Sequence, residues 1–227
     1  AILIWGCVFC AIAAICIFLS SNYEREKRRY LILMESFASM LLLMDAMAHI
    51  FSGYPGVPGS VMVRISSFLV FLLSNVVLLC FHIYVCVYLF SKRERRTLKR
   101  VKAGYVIAAA GAVFVVISQF THWYYYIDVD NYYHRAPLYI MSILLPVAGM
   151  FIDLTLLLQY KKRVSRKLLF SMLSCIVLPA VAAAVQAFWY GMSLIEFSVG
   201  ISMIIMFIVT MTELNQEMYQ LISREGK

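Results

Sequence analysis

Seven apolar runs of about 20 residues divide the 227-residue chain, and this spacing limits its fold more than any other feature. A helix of about 20 residues crosses a hydrocarbon core of about 30 Å. Backbone in lipid must satisfy its own polar groups, which leaves helices or closed barrels. A barrel needs alternating strands, and no stretch of this chain alternates. Hydrophobic residues make up 63% of the chain, above the usual 45–50% or so of soluble domains. The predicted spans cover about 1–20, 31–52, 62–90, 103–121, 138–160, 169–188 and 194–212. The expected fold is an all-α integral membrane protein, a seven-transmembrane helix bundle. The first run is long enough to span and precedes a basic loop, so it reads as a span, not a cleaved signal peptide. Ala1 already lies inside that run. The chain is therefore expected to be part of a longer protein.

Charge orients the bundle. The stretch 23–30 carries four Lys or Arg, 91–102 carries seven, and 161–167 carries five. Together these are sixteen of the 20 basic residues, and Arg224 and Lys227 follow in the tail. The opposite side has only Arg64 and Arg135. The positive-inside rule places the basic stretches and the C-terminus in the cytoplasm and the N-terminus outside. The net charge of +8 then serves orientation and contact with the lipid bilayer, and nucleic acid is not an expected partner. The six cysteines all fall inside spans. Cys7 and Cys10 form a CxxC without a second pair, so the cysteines read as small apolar residues. Neither a metal nor a cofactor is expected.

The outward connectors differ in kind. Residues 53–59 read as an uncharged, turn-rich link. In 122–137, aromatic β-formers flank Asp130 and Asn131, which points to a short β-hairpin over the outer mouth. An interfacial aromatic belt accounts for the same residues without a ligand. Pro146 and Pro179 fall inside the fifth and sixth spans and should kink them.

Ionisable groups in a span are functional candidates. Toward the outside lie Asp45, His49, Arg64, Gln119, His122, Trp123, Tyr126, Arg135, Gln186, Trp189 and Glu196. They are expected to form a pocket for a small polar or zwitterionic ligand. The alternative is a set of interhelical contacts such as Asp45 with Arg64. Toward the inside, Glu35, His82 and Asp153 lie at comparable depth and are expected to form one cluster locking the second, third and fifth spans. Such a cluster is either a static contact or a proton-sensitive lock. Ser74 and Asn75 read as helix–helix glue.

The last span runs on without a breaker. Beyond the span proper, Met211, Leu214, Met218 and Leu221 follow the spacing of a two-stranded coiled-coil seam. Residues 1–212 are therefore expected to form a transmembrane sensor domain. Residues 213–227 would begin a cytoplasmic signalling helix that joins a homodimer.

Several chemistries lack their residues. A retinal protein needs a Lys in the last span, and 194–211 has none. His49 and His82 lie at different depths, which argues against an intramembrane zinc hydrolase. No HExxH, GxSxG or Gly-rich phosphate loop occurs. No enzymatic activity is expected of this stretch. The segment YYYIDVDNYYHRAPLYIMS (124–142), the acidic region around Leu154, Ile176-Val-Leu-Pro179, and VQAFWYGMSLIEFSVGISMIIMF (185–207) leading into ELNQEMYQL resemble the seven-transmembrane N-terminal sensor modules of bacterial, mainly Firmicutes, signalling proteins. The resemblance runs from about Tyr30 onward. It implies a multi-pass protein of the bacterial plasma membrane, relaying an extracellular or membrane-borne small ligand to a cytoplasmic histidine kinase or diguanylate cyclase domain. The chain has no GGDEF motif and no ATP-binding glycine box, so such an output would lie beyond Lys227. The alternative reading is a small transporter or permease using an axis from Asp45 to Asp153.

Overall fold

The computed structural model describes residues 1–20, 23–188 and 193–225. Among these, helices α1 (Ile2–Leu19), α2 (Arg25–Phe51) and α3 (Gly56–Leu89) are followed by the short α4 (Lys92–Thr97) and by α5 (Lys99–Thr121). Strands β1 (Tyr125–Ile127) and β2 (Tyr133–Arg135) then precede α6 (Tyr139–Tyr160), a 3-10 turn at Lys161–Arg163, α7 (Arg166–Phe188) and α8 (Leu194–Glu225). Every helix except α4 is long and apolar enough to cross a membrane, seven in all. The chain is a multi-pass membrane protein.

Several helices outrun their apolar cores. Helix α2 starts at Arg25 and α5 at Lys99, inside stretches read from sequence as loops. Lys and Arg are good helix formers, and their long stems carry the charge back to water. Residues 56–59, expected to be connector, belong to α3. Pro58 falls in its first turn, where the missing N–H would have had no helical acceptor. Between α3 and α5, Ser91 and Glu94 form a capping box: Ser91 Oγ accepts from the Glu94 N–H at 3.3 Å, and Glu94 Oε2 accepts from the Ser91 N–H at 2.8 Å. The Ser91 N–H, its hydroxyl and then Arg163 hold the Glu94 carboxyl below its ordinary range.

Helices α2, α3, α6, α7 and α8 pack each against the next, and α8 returns to α2, closing a five-membered ring. Helix α1 covers the seam between α2 and α8, and α5 covers the seam between α3 and α6. The buried face of α5 is a stripe of small residues: Gly104, Ala108, Gly111, Val115 and Ser118. Small residues let helix backbones approach, the main means of packing where lipid is as apolar as protein. The approach is close. A Cβ at Gly104 would overlap the His82 ring, and one at Gly111 would overlap the Asn75 side chain.

The basic end is tied together by side chains. The Tyr23 hydroxyl lies 3.1 Å from that of Tyr84 and 2.5 Å from that of Tyr88, with the Lys27 ammonium 4.5 Å from the centre of the Tyr88 ring. Arg95 reaches both carboxylate oxygens of Glu26 at 2.9 and 3.1 Å. Arg163 donates to the carbonyl of Leu89 at 2.7 Å. Helix α8 continues unbroken past residue 212, with no structural boundary there. Ser165 donates to Glu213, and Lys167 donates to Gln216 at 3.2 Å.

This alters the expected dimer seam. Met211 and Leu214 pack, partly buried, against the core of their own chain. The first two seam positions are occupied because α7 and its preceding turn rise beside α8 at this level. Met218 is 38% exposed, and the side chain of Leu221 lies outside the described residues.

A side chain at position 104 must displace His82 or separate α3 from α5. Gly104→Ala is expected to lower stability by about 1–3 kcal/mol, the usual cost of overpacking. Reversible unfolding in detergent measures it, and an unchanged midpoint would contradict this packing.

Candidate functional site

The five-helix ring encloses a cavity of about 410 Å³. Ligand pockets usually measure about 300–1,000 Å³. Pro146 of α6 and Pro179 of α7 line it, as do Ser142 and Cys175, four residues before each proline. Proline lacks an N–H, so the carbonyls of Ser142 and Cys175 lose their helical donors. The walls toward the basic end are apolar, with Phe81, Met150 and Met203.

Polar groups gather at the hairpin end. Asp45 of α2 and Glu196 of α8 are only 6% and 7% exposed. His49 Nδ1 lies 2.9 Å from the Asp45 carbonyl and 3.5 Å from Asp45 Oδ1. Its Nε2 lies 3.4 Å from the Ser193 hydroxyl. Gln186 Oε1 accepts from the Ile195 N–H at 2.9 Å, which satisfies a donor in the open first turn of α8. Glu196 sits in that same turn, where the helix dipole favours an acid. Asp45 Oδ2 and Glu196 Oε2 are buried and receive no hydrogen bond from the described residues. On the α6 side of the ring, the Arg135 guanidinium lies 4.4 Å from the centre of the Tyr139 ring.

The hairpin is built over this end. Tyr125 pairs with Arg135, Tyr126 with His134 and Ile127 with Tyr133. Phe71, Tyr125 and Tyr133 stack in series, with centroids 5.2 and 5.4 Å apart. Asp128 organises the turn. Its Oδ1 accepts from the N–H groups of Asp130 at 3.0 Å and Tyr132 at 2.8 Å, and its Oδ2 lies 2.7 Å from His134 Nε2. Asn131 takes a left-handed conformation at φ 65°. It ties the turn to the α2–α3 connector: its side chain donates to the Tyr54 carbonyl at 2.9 Å, and its carbonyl accepts from the Gly53 N–H at 3.1 Å. Gly53 has φ 72°, and a Cβ there would strike the Tyr132 hydroxyl.

The residues expected to form one outward pocket fall into two groups. Asp45, His49, Arg135, Gln186 and Glu196 line the cavity. Arg64 does not; it is exposed and forms no ion pair with Asp45, because Val63, Ser66 and Ser67 take the buried face of α3. The others surround the end of α5 and the hairpin. Gln119 exchanges hydrogen bonds with the Tyr125 hydroxyl at 2.9 and 3.1 Å. His122 ends α5 in a left-handed conformation. Trp123 lies near Phe114, and Tyr126 stacks on His134. Helix α5 stands outside the ring, so these side chains do not reach the cavity. Trp189 lies outside the described residues.

The expected inner cluster has two members, not three. His82 Nδ1 lies 2.5 Å from Asp153 Oδ1, and His82 Nε2 lies 3.0 Å from the Val101 carbonyl. A carbonyl only accepts, so Nε2 carries a proton, and Nδ1 and Asp153 share another. One imidazole thus joins α3, α5 and α6. Glu35 takes no part. It is fully buried, with its carboxyl facing the Cys10 thiol of α1 and Cys175 of α7. Equal depth placed it with His82, but the turn of α2 directs it elsewhere. Neither His82 nor Asp153 lines the cavity.

Phe71, Tyr139, Ser67 and Ser142 line the cavity without having been picked out from sequence, and Tyr132 and Tyr133, read as part of the hairpin, line it too. Ser74 and Asn75, read as glue, line it too, although Asn75 also meets Gly111. The signal was a stripe on α3: Ser67, Phe71, Ser74, Leu78 and Phe81 share one face at helical spacing. Among the described residues, no group of three or more His, Cys, Asp or Glu side chains is placed to hold a metal. The chain matches no protein-family model, and no curated protein or solved structure shows significant similarity to it.

The Tyr132 N–H, followed by His134, holds the Asp128 carboxyl below the ordinary aspartate range of about 3.9. A depressed folded value stabilises above the unfolded value and is lost as pH falls through the folded one. Protection of amides 125–135 is therefore expected to hold from neutral pH to about 4 and to fall only below that. Asp128→Ala should raise their hydrogen exchange several-fold at neutral pH. Equal exchange in both proteins would contradict this role for Asp128.

Proposed function

We propose that this chain is the membrane-embedded input domain of a bacterial signal-transduction receptor. The hairpin end faces outward and the basic end faces the cytoplasm, as the charge distribution favours. A small ligand enters the ring at the hairpin end, and α8 carries its effect to a cytoplasmic kinase or cyclase domain. One observation carries this reading: α8 contributes Glu196, Val199, Ser202 and Met203 to the cavity wall and then continues unbroken to Glu225. Its 32 residues measure about 48 Å at 1.5 Å each. That exceeds a hydrocarbon core of about 30 Å by several turns. The same rod lines the cavity and leaves the bundle.

The proposed relay adds a second copy. Met211 and Leu214 are held by their own bundle, so pairing would begin beyond Leu214, with Met218 and Leu221 in the seam. The permease reading draws less support, since Asp153, the inner end of its axis, is closed against His82 and lies off the cavity.

Ala183 is buried on the cavity wall. In the full-length receptor, Ala183→Phe is expected to abolish the response to stimulus while the protein still inserts and folds. Deleting Asn215 rotates everything downstream by about 100° and should invert or lock output. Full stimulus-dependent output from both variants would contradict the relay. Val129 at the hairpin tip is 95% exposed. In a cysteine-free background, Val129→Cys should react with a membrane-impermeant maleimide on intact cells, and labelling only after lysis would reverse the orientation.

A further inference from the structure

The hairpin end of the cavity holds two buried carboxylic acids. Asp45 Oδ2 and Glu196 Oε2 are buried on the α2–α8 side, and no donor of the described chain reaches either. Asp45 and His49 are the charged neighbours of Glu196. His49 is engaged by Asp45 through one nitrogen and by Ser193 through the other. Arg135 lies against Tyr139 on the α6 side of the ring. Two acids in an apolar bundle, each with one oxygen that no donor of the described residues reaches, are costly to bury.

We infer that the cavity binds a ligand with a primary ammonium head and an apolar body, the head lying between Asp45 and Glu196. This rests on the proposal that the cavity is the input site. An ammonium brings three N–H donors and one positive charge, which answers both orphan oxygens at once. Phe71, Tyr132 and Tyr133 are close at hand, and aromatic faces attract ammonium groups. Toward the basic end Phe81, Met150, Val199 and Met203 contribute apolar wall that accepts a hydrocarbon body, beside the hydroxyl of Ser202. The cavity of about 410 Å³ has room for about a dozen water-sized atoms at roughly 30 Å³ each. A carboxylate head in that place would meet two acids. A neutral hydroxyl would supply one donor and no charge.

The test is calorimetric titration of the chain in lipid nanodiscs with hexylamine, hexanoate and hexanol, using protein-free nanodiscs to subtract partition into lipid. Saturable hexylamine binding is expected at least tenfold tighter than that of the other two. Asp45→Asn and Glu196→Gln should each weaken it at least tenfold, and Ala183→Phe should abolish it. Thermal unfolding checks that each variant folds. The wild-type head-group series decides the matter even if one of them does not. Equal affinity for the three heads, or amine binding unchanged in both acid variants, overturns the ammonium assignment. If that binding is still lost in Ala183→Phe, the cavity stands as a binding site. If none of the three binds saturably, or Ala183→Phe leaves amine binding intact, the cavity fails as the input site and the ammonium assignment fails with it.

Discussion

A polar group inside a membrane bundle has to find a partner within the protein, and His82 meets this constraint completely. One nitrogen lies 2.5 Å from Asp153 and the other 3.0 Å from the Val101 carbonyl. Three helices are fixed through one ring. The ring fits because Gly104 leaves room for it, so the small-residue face of α5 and the buried imidazole depend on each other. Contacts of this kind in membrane proteins typically contribute about 0.6 kcal/mol and seldom more than about 1.7 kcal/mol. Their stronger effect is on specificity, since any other rotation of α3 would strand a polar group in hydrocarbon.

The acids at the hairpin end lie beside open space instead of against a packed ring. Asp45 and Glu196 are as buried as many core residues, yet each keeps an oxygen without a donor. The space beside them is held open by the same ring that His82 helps to fix, and by two prolines in adjacent helices. The His82–Asp153 contact lies off the cavity, and Asp45 and Glu196 lie on it. Helix α3 belongs to both. It carries His82 toward α5 and α6, and it carries Ser67, Phe71 and Ser74 toward the cavity.

The seven spans were legible because their signal is summed over about 20 residues and needs no knowledge of direction. Direction is a finer quantity, since each residue turns a helix by about 100°. Arg64 and Ser67 are three positions apart, and only the second faces inward. Depth alone grouped Glu35 with His82, but depth does not say which neighbour a helix face meets. Asp45, His49 and Glu196 line one cavity because they sit near the ends of helices that meet at one seam. The hairpin residues were visible as aromatics around a turn. That Asp128 holds the turn depends on backbone N–H groups, which residue type does not display. The capping box at Ser91 and Glu94 was readable from its spacing but was hidden within a run of positive charge.

Helix α8 joins these parts. On the proposed reading it responds to the cavity at one end and acts on a partner at the other, while Ser165 and Lys167 hold it at the level of the inner surface. The central claim is that the state of the cavity sets the position of α8 relative to the ring. Leu158 on α6 and Tyr219 on α8 are 52% and 74% exposed, which suits them to spin labels. Pulsed electron resonance would measure the distance between them in the chain with an open cavity and in the Ala183→Phe variant, with labelled protein diluted among unlabelled copies. The account predicts a displaced or narrowed distance distribution when the cavity is filled. Superimposable distributions would contradict it.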